Sequence, residues 1–305
     1  MPSHSAHFLI VGAGAAGLMA GRELARAGQR VTVLEARDRC GGRIHPLPAA
    51  QFGYPAEGGA EFVHGPAPVT GGLLQEARLA LAPTAGTRWN LRDGALSPSR
   101  LGFPHAGRLH QALAGLKNDL PIAEFLATHF ADPQYDELRR SITRMLEGYD
   151  AADPARASTF ALRDEWMDQG IGPHGRIVGG YGALIAFLET ECRRHEAAIH
   201  FGSAVTAIEE SGGAIAARCH DGVAHTADAA IVTVPISLLP AIALPADARE
   251  KAAACADIGY GNVIKILLRF TRDWWADQGR RDLADLSFLF ANTKVPTWWT
   301  QYPDG

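Results

Sequence analysis

His7 to Arg43 reads HFLIVGAGAAGLMAGRELARAGQRVTVLEARDRCGGR, and the fold is decided within it. The apolar run Phe8–Val11 suits a buried parallel strand and stops at Gly12, where the chain must turn. A helix follows, with Leu18, Met19 and Leu24 on an inward face and Arg22, Glu23 and Arg26 toward water. Gly28 stops it before a second strand, Val31–Leu34. The pattern predicts a βαβ unit. Gly12, Gly14 and Gly17 form G-x-G-x-x-G, and each position has a reason to lack a side chain. Gly12 allows the sharp turn, Gly14 lets a pyrophosphate approach the backbone, and Gly17 lets helix and strand pack closely. The helix N-terminus offers free N–H groups and partial positive charge to phosphates. Glu35 ends the second strand, where a carboxylate can accept hydrogen bonds from ribose hydroxyls.

The residues after Glu35 choose among dinucleotides. Ala36 and Arg37 lead into Gly41-Gly42-Arg43, a second glycine loop with a cation. A nicotinamide dinucleotide has no use for it, whereas FAD is longer and its diphosphate runs past the first turn. At this point the chain resembles the flavin-containing amine oxidase family, the monoamine and polyamine oxidase group. The resemblance implies an α/β protein: a Rossmann-type FAD-binding domain interleaved with an α+β substrate domain. It places Gly12, Gly14, Ala15, Gly17, Glu35, Ala36, Arg37, Gly41, Gly42 and Arg43 at the cofactor. It adds Gly59, Ala60 and Glu61 from the GYPAEGGAEFVHG stretch, and Val205, whose backbone would contact adenine.

The totals are those of an ordinary globular protein. In 305 residues, 47% are hydrophobic and 20% charged, which suits about two domains. A net charge of −4 gives no footprint for nucleic acid. No run of 18 apolar residues occurs and the first strand begins near residue 7, so neither a membrane segment nor a signal peptide is expected, and a cytoplasmic location is. Cys40, Cys192, Cys219 and Cys255 have neither metal nor disulfide spacing and read as reduced structural thiols.

Four stretches divide the chain: residues 1–70, the first part of the FAD-binding domain; 71–174, a mainly helical part of the substrate domain; 175–245, the second part of the FAD-binding domain; and 246–305, the sheet part of the substrate domain. The clearest helix of the second stretch is Tyr135–Tyr149, with Leu138, Ile142, Met145, Leu146 and Tyr149 at three- and four-residue intervals. Trp89 and Trp166 read as core. In the third stretch Gly179-Gly180 marks a helix start, and Asp221-Gly222 a hairpin turn. Glu57 and Glu61 read as solvated loop acids rather than a carboxylate pair. His64 reads either as a hydrogen-bonded loop histidine or, by resemblance, as a residue beside the flavin and substrate.

In DIGYGNVIKILLRF, Asp257–Phe270, alternation predicts a strand with Ile264, Ile266, Leu268 and Phe270 on one face and Val263, Lys265, Leu267 and Arg269 on the other. Periodicity alone puts Lys265 on the wetter face. The resemblance makes it the lysine that holds a water against flavin N5, positioning that water to hydrolyse an imine or favouring oxygen reduction by its charge. Trp298 and Trp299 take opposite faces of another strand; each reads first as core packing, and one of them alternatively as the lining of a cavity for an amine. The resemblance stops at Pro303-Asp304-Gly305, before the family's closing glycine turn and helix. A C-terminally truncated chain is therefore expected, with an unpaired sheet edge and exposed apolar surface. The implied activity is oxidation of a small amine by FAD and O2 to an imine and then a carbonyl, with hydrogen peroxide. A related desaturase or porphyrinogen-type oxidase, and a non-catalytic FAD- or partner-binding remnant, are the alternatives. No metal is implied, and oligomeric state is not readable.

Overall fold

A computed structural model describes residues 5–99, 102–166, 174–277 and 283–303. The chain divides into two compact units: residues 1–63, 67–82 and 176–258 form one, and residues 64–66, 83–175 and 259–305 the other.

The first unit is built on the stretch that opened the analysis. Strand β1 (His7–Val11), helix α1 (Ala15–Arg26) and strand β2 (Arg30–Leu34) form the βαβ unit. β1 lies parallel between β2 and the strand Ala229–Val232, and Ala198–His200 extends the sheet beyond β2. Leu9, Ile10 and Val33 are fully buried, as near-continuous apolar strands covered on both faces should be. Helix Tyr181–Arg194 follows two left-handed glycines, Gly179 and Gly180, and buries Leu184, Ile185, Leu188 and Cys192 against α1. Cys192 donates its S–H to the Leu18 carbonyl at 3.2 Å. Burial pushes the Cys40 thiol up to about 12 and that of Cys192 to about 11, and all four cysteines are free thiols. A separate antiparallel sheet comprises Val205–Ser211, Ala214–Cys219 and Ala224–Ala227, its second and third strands joined at Asp221-Gly222 with Gly222 left-handed.

Three expectations need correction here. Arg22 does not face water: it is 2% exposed, and its guanidinium meets Glu23, Glu76 and Glu191 and lies 5.5 Å from the centre of the Phe187 ring. Two of these acids, Glu76 and Glu191, come from helices Pro68–Ala77 and Tyr181–Arg194, which helical periodicity cannot foresee. The unit also reaches residue 82 rather than 70, because helix Pro68–Ala77 buries Leu73 and Leu74 in its core. It reaches 258 rather than 245, where Ala252 of helix Ala246–Ala253 packs on a cluster with Ile242 and Leu244.

The second unit has a helical core and a sheet. Leu138, Ile142 and Leu146, from helix Asp136–Gly148, pack with Leu109, Leu113, Phe125, Phe130 and Trp166. In the sheet, Leu286–Ala291 runs parallel to Thr87–Arg92 and antiparallel to Thr297–Trp299, and Ala95–Pro98 closes the other side. The strand expected over residues 263–270 does not form. A strand needs a ladder from another segment, and residues 263–270 belong to none of the sheets formed by the described residues. Val263, Ile264, Ile266, Leu268 and Phe270 are exposed instead. Of the expected Pro303-Asp304-Gly305 turn, Asp304 and Gly305 lie outside the described residues.

Candidate functional site

The first glycine turn has the geometry its sequence requires. Gly12 is left-handed at φ +103°, and a Cβ on Gly17 would lie 1.9 Å from the Gly12 carbonyl oxygen. Gly14 is the N-cap of α1 and makes no side-chain cap. The first intrahelical bond runs from the Leu18 N–H to the Gly14 carbonyl, so the helix projects its opening amides uncapped. A Cβ on Gly14 would meet no atom within 4 Å, and Ala15 beside it is exposed.

Glu35 lies at the end of β2 and is 6% exposed. Its Oε2 accepts from the Ala13 N–H at 2.7 Å and its Oε1 from the Arg37 N–H at 3.0 Å. Two backbone donors thus aim the carboxylate and leave each oxygen a further lone pair. Ala36 and Arg37 are exposed.

The second glycine loop is tied to the first. The Gly41 N–H donates to the Ala13 carbonyl at 2.8 Å, and a Cβ on Gly42 would lie 3.6 Å from the Gly14 Cα. Both glycines are left-handed, at φ +108° and +60°. Arg37 and Arg39 donate to the Gly42 carbonyl at 3.0 and 3.1 Å, and Arg39 also reaches the Cys40 and Ile44 carbonyls at 3.0 Å each. Arg39 was not singled out from the sequence, where the cation of this loop is read as Arg43. Arg43 is exposed, and its carbonyl accepts from the Ala60 N–H at 3.3 Å. A Cβ on Gly59 would come within 1.9 Å of that carbonyl oxygen, so this third close approach also needs glycine. Ala60 is exposed.

Glu57 and Glu61 are not solvated: they are 5% and 8% exposed. Glu57 accepts from the Tyr181 N–H at 2.6 Å, at the start of helix Tyr181–Arg194, where the helix dipole favours a carboxylate. Glu61 pairs with Arg176 at 2.9 Å. Each acid thus has its own structural partner, and Glu61 braces the loop that carries Gly59. Val205 pairs with Cys219 across a bulge and packs in the cluster that holds Leu9 and Leu34.

The second unit holds the remaining candidates. Lys265 is partly buried between exposed neighbours, Ile264 and Ile266, the reverse of its expected wetter position. Its Nζ lies 5.3 Å from the centre of the Trp299 ring, within cation–π range. Trp299 and Trp298 alternate on strand Thr297–Trp299; Trp298 is 43% exposed and donates its indole N–H to the Val295 carbonyl at 2.9 Å. His64 meets His174, which the sequence did not mark, and Tyr149, which it marked only as a helix-face residue. Its Nδ1 lies 2.6 Å from Nδ1 of His174 and 3.1 Å from the Tyr149 hydroxyl. The repeated His-Gly pairs, 64–65 and 174–175, are the one sequence signal that links the two histidines. No group of three or more metal-ligating side chains occurs among the described residues, nor a helix long and apolar enough to cross a membrane.

Comparison with known proteins bears on this arrangement. The model of the flavin-containing amine oxidoreductase family matches residues 15–305. A probable polyamine oxidase 4 of Arabidopsis thaliana is 29% identical over 88% of this chain and 58% of its own. Polyamine oxidase 5 of rice is 29% identical over 88% and 59%. Lysine-specific histone demethylase 1B of mouse is 27% identical over 89% of this chain and 35% of its own. The chain thus spans just under three fifths of the two plant relatives. Among solved structures, a putrescine oxidase bound to putrescine superposes with a TM-score of 0.72 at 18% identity, over 97% of this chain and 72% of that one. An oxidoreductase from Methanosarcina mazei gives 0.61 at 18%, over 81% and 64%. These two similarities establish the shared α/β fold.

Proposed function

The chain belongs to the flavin-containing amine oxidoreductase family, and from that premise we propose that it binds FAD and takes part in oxidising an aliphatic di- or polyamine. Two features of the first unit fit FAD: the open space at Gly14 before an uncapped helix, and a buried carboxylate already oriented by two amides. In this reading the α1 amides and the Gly41-Gly42 backbone hold the diphosphate, and Glu35 accepts from the ribose. Arg37 and Arg39 keep the second loop in place, and Val205 borders the adenine. When bound, FAD supplies the two-electron acceptor for the carbon–nitrogen bond and passes the electrons to O2.

The observation that carries the amine reading is the approach of Lys265 to Trp299. A lysine held by an aromatic ring is a fixed positive charge, able to orient water for imine hydrolysis and to favour reduction of oxygen. The Trp299 and Trp298 rings offer the apolar, electron-rich surface an alkylamine prefers. The relatives named polyamine oxidase, and the solved putrescine oxidase, support the substrate class.

The test is an anaerobic titration of the FAD-loaded chain with putrescine and spermidine. Bleaching of the visible flavin bands supports the proposal. A chain that keeps its flavin and is bleached by neither amine would overturn it. With Lys265→Met, bleaching should persist while the return of colour on admitting oxygen slows by about a hundredfold, the lower end of what losing one positioned electrostatic contact costs.

A further inference from the structure

The second unit carries a local excess of positive charge that the proposed function does not use. On helix Asp136–Gly148, Glu137, Arg140, Ser141 and Arg144 follow at three- and four-residue steps and share one face. Arg92, the last residue of strand Thr87–Arg92, reaches the same carboxylate from the sheet. It forms an ion pair with Glu137 Oε1 at 3.1 Å. Arg144 donates to that oxygen at 3.4 Å and Ser141 at 3.3 Å, while Arg140 donates to Oε2 at 3.2 Å. Three guanidiniums therefore share one acid, which leaves two positive charges in excess.

Neighbouring acids do not cancel that excess. Asp136 is engaged by Arg139, whose guanidinium also turns to the Phe130 and Asp132 carbonyls. Asp93, beside Arg92, accepts from the Asn292 side-chain amide at 2.9 Å. Glu147 pairs with none of the three arginines, and none of them has a second acid partner among the described residues. Burial first, then Arg92 and Arg140, hold Arg144 below the ordinary guanidinium value, and Glu137 only partly offsets them. A tie between helix and strand needs only Arg92 and Glu137, and the two helix arginines add repulsion to it. Their N–H forks are mostly unspent: Arg140 and Arg144 each donate one hydrogen bond to Glu137. The side chains of Arg144, Arg92 and Arg140 are 26%, 36% and 60% exposed, so all three are within reach of a solute.

We propose that Arg92, Arg140 and Arg144 form a binding site for a doubly charged oxyanion, a phosphate group, beside Glu137. A carboxylate ligand would cancel only one of the two excess charges, and its two oxygens are met by a single guanidinium fork. A phosphate dianion cancels both and presents oxygens in several directions, as three guanidiniums from a helix and a strand require. The group is either free phosphate or the ester of a small molecule. The site belongs to the second unit alone and is independent of the flavin and amine readings.

The test follows the arginine side-chain N–H resonances of the full chain by NMR, assigned with Arg92→Gln, Arg140→Gln and Arg144→Gln. Inorganic phosphate and glycerol phosphate are titrated in turn, with sodium chloride holding the ionic strength constant. The three resonances should shift together along one saturating curve. Phosphate taken up instead by the glycine loops of the first unit would move Arg37, Arg39 and Arg43. Arg140→Gln, a change at the most exposed of the three, should weaken binding about threefold, the scale of one exposed charge contact. Glu137→Gln removes the competing acid and should tighten binding, whereas a cluster that only braces the helix gains no affinity from that loss. Saturation by either probe supports the proposal, and the tighter one tells free phosphate from an ester. Resonances that respond to both phosphates no more than to chloride overturn it, as does a Glu137→Gln chain that binds phosphate more weakly than wild type. Should Glu137→Gln fail to fold, an affinity unaltered in Arg140→Gln overturns it equally.

Discussion

Gly14 and Gly17 belong to one motif and have opposite surroundings. A Cβ on Gly17 would strike the Gly12 carbonyl oxygen at 1.9 Å, and backbone cannot step aside as a side-chain end can. Gly17→Ala should therefore cost about 1–3 kcal/mol by overpacking, or more, and abolish flavin retention. Gly14 is at φ −73°, which alanine tolerates, and a Cβ there would meet no atom within 4 Å. Gly14→Ala should leave the melting temperature nearly unchanged while FAD affinity falls about tenfold, or ~1.4 kcal/mol. Calorimetry with an FAD titration separates the two, and equal stability losses would contradict the assignment. Asp150 supplies a pH prediction. Its Oδ2 is buried with no hydrogen-bond partner among the described residues, and burial with Glu165 raises it from 3.8 to about 6. A carboxyl raised on folding contributes fully below the unfolded value, and that contribution is lost as pH climbs through the folded one. Asp150→Asn does not titrate, so it should gain on wild type as pH rises from about 4 to 7. Parallel curves of melting temperature against pH would show that Asp150 is hydrated. Single residues were legible where a backbone conformation demanded them, as at Gly12 and Gly222. Arg22 and His174 were not, because what decides them comes from 54 and 110 residues away, at Glu76 and His64.

At the scale of elements, local signals located most boundaries. The capless glycine start of α1, the paired glycines before Tyr181, and Asp221-Gly222 each act within a few residues, and the structure places a helix or hairpin at each. The segment 261–270 shows where such reading stops. Its alternation is real, yet alternation specifies only which side chains share a face. The ladder that makes a strand comes from another segment. The residue that alternation sends to water, Lys265, is the one drawn against an aromatic ring. Because Ile264 is 89% exposed, Ile264→Ser should change the urea midpoint by no more than the equivalent of about 0.5 kcal/mol. The amides of 261–270 should exchange with solvent far faster than those of β1. A large loss of stability in Ile264→Ser, or slow exchange there, would show that this segment is packed.

Over the whole molecule, no single stretch of chain holds a complete unit. The FAD-binding unit is assembled from residues 1–63, 67–82 and 176–258, so a motif complete by Gly59 is not yet a fold. A fragment of residues 1–175 keeps every glycine of the three close approaches, and Glu35. It lacks helix Tyr181–Arg194 and strand Ala229–Val232, which cover α1 and flank β1. Such a fragment should be recovered without flavin and without a cooperative thermal transition, and a yellow, cooperatively melting fragment would show that the first segment is self-sufficient. The same pairing of β1 with Ala229–Val232 has a consequence during synthesis. Phe8 is opposite Ala229, and a ribosome adding about 5–20 residues per second takes roughly ten to forty-five seconds to make the stretch between them. For most of that interval β1, whose Leu9 and Ile10 are fully buried in the folded chain, is out of the exit tunnel without one of its two neighbours. A message that stalls near its middle therefore yields a product with an intact glycine signature and an unshielded strand.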